Sequence, residues 1–344
     1  MGKNKGFVSI IVLTVMYVLI VMGLYLDYKA RLEYLILNST SNNIQSYYLS
    51  EGKVLMSIQE EMYYSNQLYP ILIDVFRNNR FSTKKKYIKI ENEDLYLDDN
   101  LNIVKILFTD KNNRKQLILN AESNYKGLIS KVVASGTLVN ELFEIQYPVL
   151  DASILSNKYE ENFRVLLDKI SDEISVEDYT DANNIYAREF VNYNYICLNT
   201  ESGNKFRITA NENSMDCPNI ESFHNQDIFL ICRNNNDNRL SLFLGDPDNQ
   251  IENIRLFGII FVEGDLILSS NFEFNGIIIV KDGEIIINSP NRPKICGLVI
   301  LDNVHNCNEF VNNADIIYDN RSIYIYGTYL PGFLEPKIDL IKCN

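Results

Sequence analysis

Tryptophan is absent from the 344 residues, and histidine occurs only twice, at His224 and His305. Two isolated imidazoles cannot build a multi-histidine metal centre. Cations are also scarce, with 32 Lys and Arg against 45 Asp and Glu, a formal charge of -13 and a pI near 4.8. Counterion release from a phosphate backbone needs clustered cations, so no nucleic-acid partner is expected. No CxxC pair, P-loop, nucleophile elbow or zinc spacing occurs, so neither an enzyme nor a bound cofactor is expected. Hydrophobic residues make up 46% and charged residues 22%, a balance that folds.

Charge is missing altogether from Phe7 to Leu26, a run of 20 residues. As a helix it is about 30 Å long, enough to cross the hydrocarbon of a bilayer. Before it stands a short basic leader, residues 1–6, with Lys3 and Lys5. After it charge returns at once with Asp27, Lys29 and Arg31. The basic leader favours a cytoplasmic N-terminus, although Lys29 and Arg31 pull the other way. The reading is one membrane pass at residues 7–26 with the C-terminal domain outside the cytoplasm. A cleaved secretory signal would show a small-x-small site after its apolar core, and Met22-Gly23-Leu24-Tyr25-Leu26 offers none. An uncleaved signal anchor is the plain alternative.

A basic leader ending in Gly6, followed directly by Phe7 and an apolar helix, resembles the leader of type IV prepilins. The resemblance implies cutting after Gly6 by a prepilin peptidase on the cytoplasmic side, then N-methylation of Phe7. It also implies a helix that packs against other pilin subunits in a filament. Uncharged apolar surface suits both the bilayer and such a bundle. Major pilins carry Glu at the fifth mature position, where this chain has Ile11, and no acid occurs before Asp27. Minor pilins of the PilX kind often lack that Glu, so the resemblance points to a minor or priming subunit.

From residue 27 to 67 the sequence keeps helical character, with Ile44, Tyr48, Leu55, Ile58 and Met62 spaced to share a face. Ser50-Glu51-Gly52 interrupts this segment, and a mid-helix Gly costs about 1 kcal/mol in propensity. It reads either as an exposed turn or break, or by resemblance as the Glu and Gly of the PilX-type stalk motif, without its alanines. Sustained heptads of a receptor coiled coil are missing. Pro70 is expected to end the stalk or to follow its end.

Residues 68–250 read as an α+β head region. Tyr87–Ile90 and Leu95–Leu97 are expected as strands, and Ile103–Phe108 with Gln116–Leu119 as a hairpin. Asn157–Ile174 has the apolar spacing of one amphipathic helix, and Tyr195–Leu198, Ile228–Cys232 and Leu240–Leu244 read as short strands. Lys84-Lys85-Lys86 is read as a solvated lead-in to a strand.

Residues 251–344 carry a repeat. Gly258-Ile-Ile-Phe-Val is followed by Gly264-Asp-Leu-Ile-Leu, Gly276-Ile-Ile-Ile-Val by Gly283-Glu-Ile-Ile-Ile, and Gly297-Leu-Val-Ile-Leu stands third. The period suggests stacked rungs, a short β-solenoid-like array; an antiparallel meander is the alternative. Apolar runs that barely alternate suit strands buried on both faces. Gly258–Gly264 and Phe274–Gly276 also resemble the Gly-Ile-Ile-x-Val-x-Gly and Phe-x-Gly units of PilX-like proteins.

Six cysteines, at 197, 217, 232, 296, 307 and 343, lie beyond the membrane run. They allow up to three disulfides or a set of buried thiols, and Cys296–Cys307 is the favoured pair because a short loop separates them. Asp246-Pro247-Asp248-Asn249 with Glu252 reads as an Asx-rich turn rather than a calcium loop. The fold expected is therefore α+β: a long N-terminal transmembrane and stalk helix carrying a β-rich head. The function expected is a non-enzymatic minor pilin-like subunit. The alternatives are an uncleaved single-pass adhesin or receptor ectodomain, and a membrane-tethered carbohydrate-active β-helix enzyme.

Overall fold

The structure is a computed structural model that describes residues 4–77, 86–97, 99–111, 114–152, 155, 157–176, 185–201, 205–211, 219–234, 239–246 and 253–343. One helix, α1 (Asn4–Gln59), dominates the N-terminal end. Its 56 residues span about 84 Å at 1.5 Å per residue. Glu60 is extended, and the chain then re-enters helix as α2 (Glu61–Tyr63), a π-helical stretch at Tyr64–Leu68 and α3 (Tyr69–Arg77). Pro70 therefore follows the end of the stalk helix, as one of the two expected outcomes had it. It lies in the first turn of α3, directly after the π-helical stretch, a local departure from the α pattern of the kind that accommodates a proline inside a helix.

Three sheets follow. The first is five-stranded, with β1 (Lys86–Lys89), β2 (Ile103–Lys111), β3 (Arg114–Tyr125), β4 (Leu128–Val139) and the last strand of the chain, β18 (Leu334–Cys343), in that order. Every pairing in it is antiparallel. The β2–β3 hairpin is the one expected from the sequence. The strand expected at Leu95–Leu97 does not form: Asn92–Asp94 make a turn of 3-10 helix, and irregular chain leads on from it to β2. The acid and amide side chains there favour turns over ladder pairing.

The remaining strands, in chain order, are β5 (Val149–Asp151), β6 (Tyr186–Val191), β7 (Tyr195–Glu201), β8 (Lys205–Asn211), β9 (Asn219–Phe223), β10 (Asp227–Arg233) and β11 (Ser241–Leu244). The C-terminal set is β12 (Asn253–Glu263), β13 (Asp265–Leu268), β14 (Asn271–Lys281), β15 (Ile285–Ile287), β16 (Lys294–Asp302) and β17 (Asp315–Tyr318). Helix α4 (Asn157–Glu173) falls where the apolar spacing placed it, and α5 (Cys307–Asn313) and α6 (Asn320–Gly327) flank β17.

The repeat units alternate between two sheets. β10, β12, β14 and β16 lie side by side in a seven-stranded sheet, while β11, β13 and β15 lie side by side in a six-stranded one. All these pairings are parallel, which excludes the antiparallel meander for this segment. Gly258, Gly276 and Gly297 stand in register across three strands, with φ of 122°, 152° and 150°. A Cβ on any of them would stand 1.9 Å from a carbonyl oxygen of the preceding strand. The glycines thus let adjacent strands close on one another where any side chain would hold them apart. The parallel arrangement also draws on strands before residue 250, and β18 leaves it for the first sheet.

Two cores result. Ile260, Val262, Ile278, Val280, Val299 and Leu301 face inward between the seven-stranded sheet and the six-stranded one, whose outer strands β7, β8 and β9 pair antiparallel. Their neighbours Ile259, Phe261, Ile277, Ile279, Leu298 and Ile300 face the other way, into a core shared with α1, α3, α4, α6 and the first sheet. Burial on both faces explains why these strands read as unbroken apolar runs.

Candidate functional site

The site defined by the sequence is α1 itself. From Phe7 to Leu26 each side chain is exposed and none touches the head. Phe7 is 67% exposed and Ile11, where an acid is missing, 47%. This is a helix long and apolar enough to cross a membrane. Gly6 lies in its helical backbone, directly before Phe7. Past the apolar run, Arg31 pairs with Asp27 at 3.0 Å and Lys29 with Glu33 at 4.0 Å, both i,i+4. These exposed pairs contribute only tenths of a kcal/mol each, about 0.3–0.5. The helix stays free of the head through Ser41, with Leu32, Leu35, Ile36 and Leu37 all exposed. The free segment, about 50 Å at 1.5 Å per residue, is longer than a hydrocarbon core.

Seating on the head begins at Asn43, whose carbonyl and side-chain oxygens accept from Ser130 Oγ. The seated face is not the expected apolar stripe. Of that stripe Ile44, Tyr48 and Met62 are exposed and Leu55 and Ile58 half-buried, Ile58 against the core, while Ser46, Ser50, Lys53, Val54 and Ser57 are buried. Ile44 and Tyr48 lie two residues, about 200° around the helix, from Ser46 and Ser50. Small side chains win this face because the helix lies close over the β3–β4 hairpin and bonds to its backbone. Ser46 Oγ accepts from the Ser130 N–H at 3.0 Å and donates to the Ser123 carbonyl at 2.8 Å. Ser50 Oγ donates to the Ser130 carbonyl at 3.0 Å.

One turn further on, Lys53 drives an ammonium into the same interface. Its Nζ donates to Asp99 Oδ2 at 2.6 Å, to the Leu101 carbonyl at 2.5 Å and to the Glu122 carbonyl at 2.9 Å. Asp99 Oδ1 in turn accepts from the N–H groups of Leu101 at 3.0 Å and Asn124 at 3.2 Å. The two side chains are 4% and 1% exposed. Burial pushes the Lys53 ammonium below its ordinary range, and the hydrogen bond and charge of Asp99 partly restore it. Sequence reasoning missed this pair. The available signal was a lysine inside an apolar stretch of helix, Lys53-Val54-Leu55-Met56.

Within the expected stalk motif, Ser50 is buried, and Glu51 and Gly52 are half-buried. A Cβ on Gly52 would meet nothing within 4 Å, so among the described residues no contact requires glycine there.

Cys296 and Cys307 are free thiols, and the expected disulfide between them is absent. Cys296 opens β16 beside Asn275, whereas Cys307 follows the other end of that strand, near Asp151. The intervening strand separates them by roughly 15–20 Å, well beyond the reach of an S–S bond. Cys217, Lys84, Lys85 and most of the 246–252 turn lie outside the described residues. Among the described residues no group of three or more His, Cys, Asp or Glu could hold a metal ion.

A second buried charge is Glu144, in the 3-10 turn Glu141–Glu144 that follows β4. Glu144 accepts from the Tyr324 hydroxyl at 2.9 Å and lies 3.7 Å from Arg114 Nε. Desolvation raises its carboxyl above the ordinary range, against the opposing pull of Tyr324 and Arg114.

The class these features define is an α+β protein with one N-terminal candidate membrane helix and a β-rich body. No family model, no curated protein and no solved structure matches the chain.

Proposed function

We propose that the chain is a PilX-like minor pilin subunit of a type IV pilus or related pseudopilus, without catalytic activity. A prepilin peptidase cuts after Gly6, and Phe7 becomes the methylated N-terminus. The helix first holds the precursor in the membrane by residues 7–26, with the head outside the cytoplasm. It then leaves the bilayer to pack with other pilin subunits at the cell surface. The partners are the peptidase, those subunits and the pilus assembly machinery. We read the parallel strand array of the head as a short β-solenoid.

The observation that carries this reading is the continuity of α1. A single helix bears an uncharged apolar run free of the head, continues free for several turns beyond it, and then seats on an antiparallel sheet. A tether needs only the membrane run. A helix that must also line a bundle needs the exposed apolar length that follows, including Leu32, Leu35 and Ile36.

Mass spectrometry of the mature N-terminus from native cells tests it. A chain starting at N-methylated Phe7 is the expected result, lost on Gly6→Ala. An intact Met1 or Gly2 in cells with an active peptidase overturns the proposal. That outcome leaves the uncleaved single-pass adhesin or receptor ectodomain, a reading favoured by one residue, Ile11, at the position where an acid would neutralise a neighbouring subunit's amino terminus.

A further inference from the structure

The Lys53–Asp99 pair has the geometry of a bond-forming site. The amine nitrogen and the carboxyl group are already hydrogen-bonded, with Nζ 2.6 Å from Oδ2, the oxygen bonded to the electrophilic Cγ. The site is sealed from solvent on both sides of the pair. The other carboxyl oxygen, Oδ1, rests between two backbone N–H donors, from Leu101 and Asn124. That is the arrangement which stabilises an oxyanion during acyl transfer. Two carbonyls, of Leu101 and Glu122, hold the remaining ammonium hydrogens and fix the nitrogen in place.

Energetics point the same way. A buried ion pair gives up the hydration of two charges, and its attraction repays that only in part. Joining the same two groups as a neutral amide removes both charges from the interior and sends one water to bulk.

We propose that Lys53 and Asp99 condense into an intramolecular amide that fastens the stalk helix covalently to the head. One proton passes from the ammonium to Oδ2 along the existing hydrogen bond, leaving a neutral amine and a neutral acid. The Nζ lone pair attacks Cγ, and the negative charge that develops on Oδ1 is held by the Leu101 and Asn124 N–H groups. A second proton moves from nitrogen to Oδ2, the Cγ–Oδ2 bond breaks, and Oδ2 departs as water. The third ammonium hydrogen stays on the amide nitrogen. Atoms and charge balance without an oxidant, a metal or a co-reactant. The bond closes a loop between α1 and the chain leading into β2, so a pull on the stalk reaches the head through covalent bonds. It requires neither cutting at Gly6 nor any filament.

Intact mass under denaturing conditions, followed by tryptic mapping of the full-length chain from its native host, tests the bond. The expected result is a chain lighter than its processed sequence by one water. Trypsin fails to cut after Lys53, and a branched peptide joins the segments around Lys53 and Asp99. The Lys53→Arg variant, which keeps a cation beside Asp99, is expected at its full sequence mass. Complete recovery of separate linear peptides bearing unmodified Lys53 and Asp99 overturns the proposal. So does a water loss that maps to a cyclic imide at Asp99 with Lys53 still cleavable. Both readouts come from the wild-type chain, so misfolding of the variant does not blunt the test.

Discussion

The carbonyl oxygen of Gly258 stands 1.9 Å from where a Cβ on Gly276 would be. The two residues are paired in register on parallel strands, and both have φ in the region that L side chains rarely adopt. Gly276→Ala therefore meets backbone on one side and a strained dihedral on the other. The steric and dihedral terms are each about 1–3 kcal/mol, so a loss of about 3 kcal/mol or more is expected. Denaturant unfolding of the detergent-solubilised chain measures it. By contrast, Gly52→Ala meets open space in the middle of a helix and is expected to raise stability by about 1 kcal/mol. If Gly52→Ala stays stable yet the chain no longer assembles, the glycine serves a neighbouring molecule instead.

The serine face of α1 separates two kinds of loss. Ser46→Ala deprives the buried Ser130 N–H of its acceptor, an expected cost of about 1–3 kcal/mol. Ser50→Ala removes a donor to a carbonyl that has a second lone pair for other partners, an expected cost nearer 1 kcal/mol. Ser50→Leu forces the helix off the β3–β4 hairpin and should be worst of the three. Protease protection of the junction between stalk and head ranks them, and equal protection in all three variants would remove the serines from any role in seating.

How far the sequence anticipated this structure depends on how local the signal was. Gly258, Gly276 and Gly297 marked their strands because each must sit against the corresponding carbonyl of the preceding strand, and that requirement repeats along the chain. The β2–β3 hairpin and α4 were legible for the same reason, since their partners or periodicities lie within one window. The serine face was not legible. A helix seated on polar backbone hides behind the same spacing as one seated on an apolar core, and Ile44 and Tyr48 drew attention to the wrong side. The pairing of β18 with β4 joins residues about two hundred positions apart, and nothing in Leu334–Cys343 names its partner. Lys53 and Asp99 were missed because a buried charge is recognisable only once both halves of the pair are placed.

Thiol chemistry follows from burial. Cys343 is exposed, whereas Cys197, Cys232 and Cys307 are buried, and desolvation raises the thiols of Cys232 and Cys307 above the ordinary range. The thiolate is the reactive form, so both factors slow the buried set. Brief alkylation of the folded protein at neutral pH is expected to label Cys343 first and to reach Cys232 only after denaturation. Mapping should recover Cys296 and Cys307 separately alkylated after unfolding without reductant. A Cys296–Cys307 crosslink in that digest would mean that β16 is not the strand described.

Glu144 sets a pH dependence whose sign can be worked out. Its folded carboxyl titrates above the reference value of 4.5, with desolvation the largest cause. The folded state therefore takes up a proton more readily than the unfolded chain, and the charged form is the costly one. That cost is fully present above the folded pKa, shrinks as pH falls through it, and has gone below the unfolded value. Glu144→Gln keeps an acceptor for the Tyr324 hydroxyl and carries no charge. At neutral pH the variant should be the more stable protein, and its advantage should close as pH is lowered toward 4.5. Melting temperatures of both proteins across pH 4–8 read this directly. An advantage that widens on acidification would mean that Arg114, 3.7 Å away, stabilises the carboxylate more than burial penalises it.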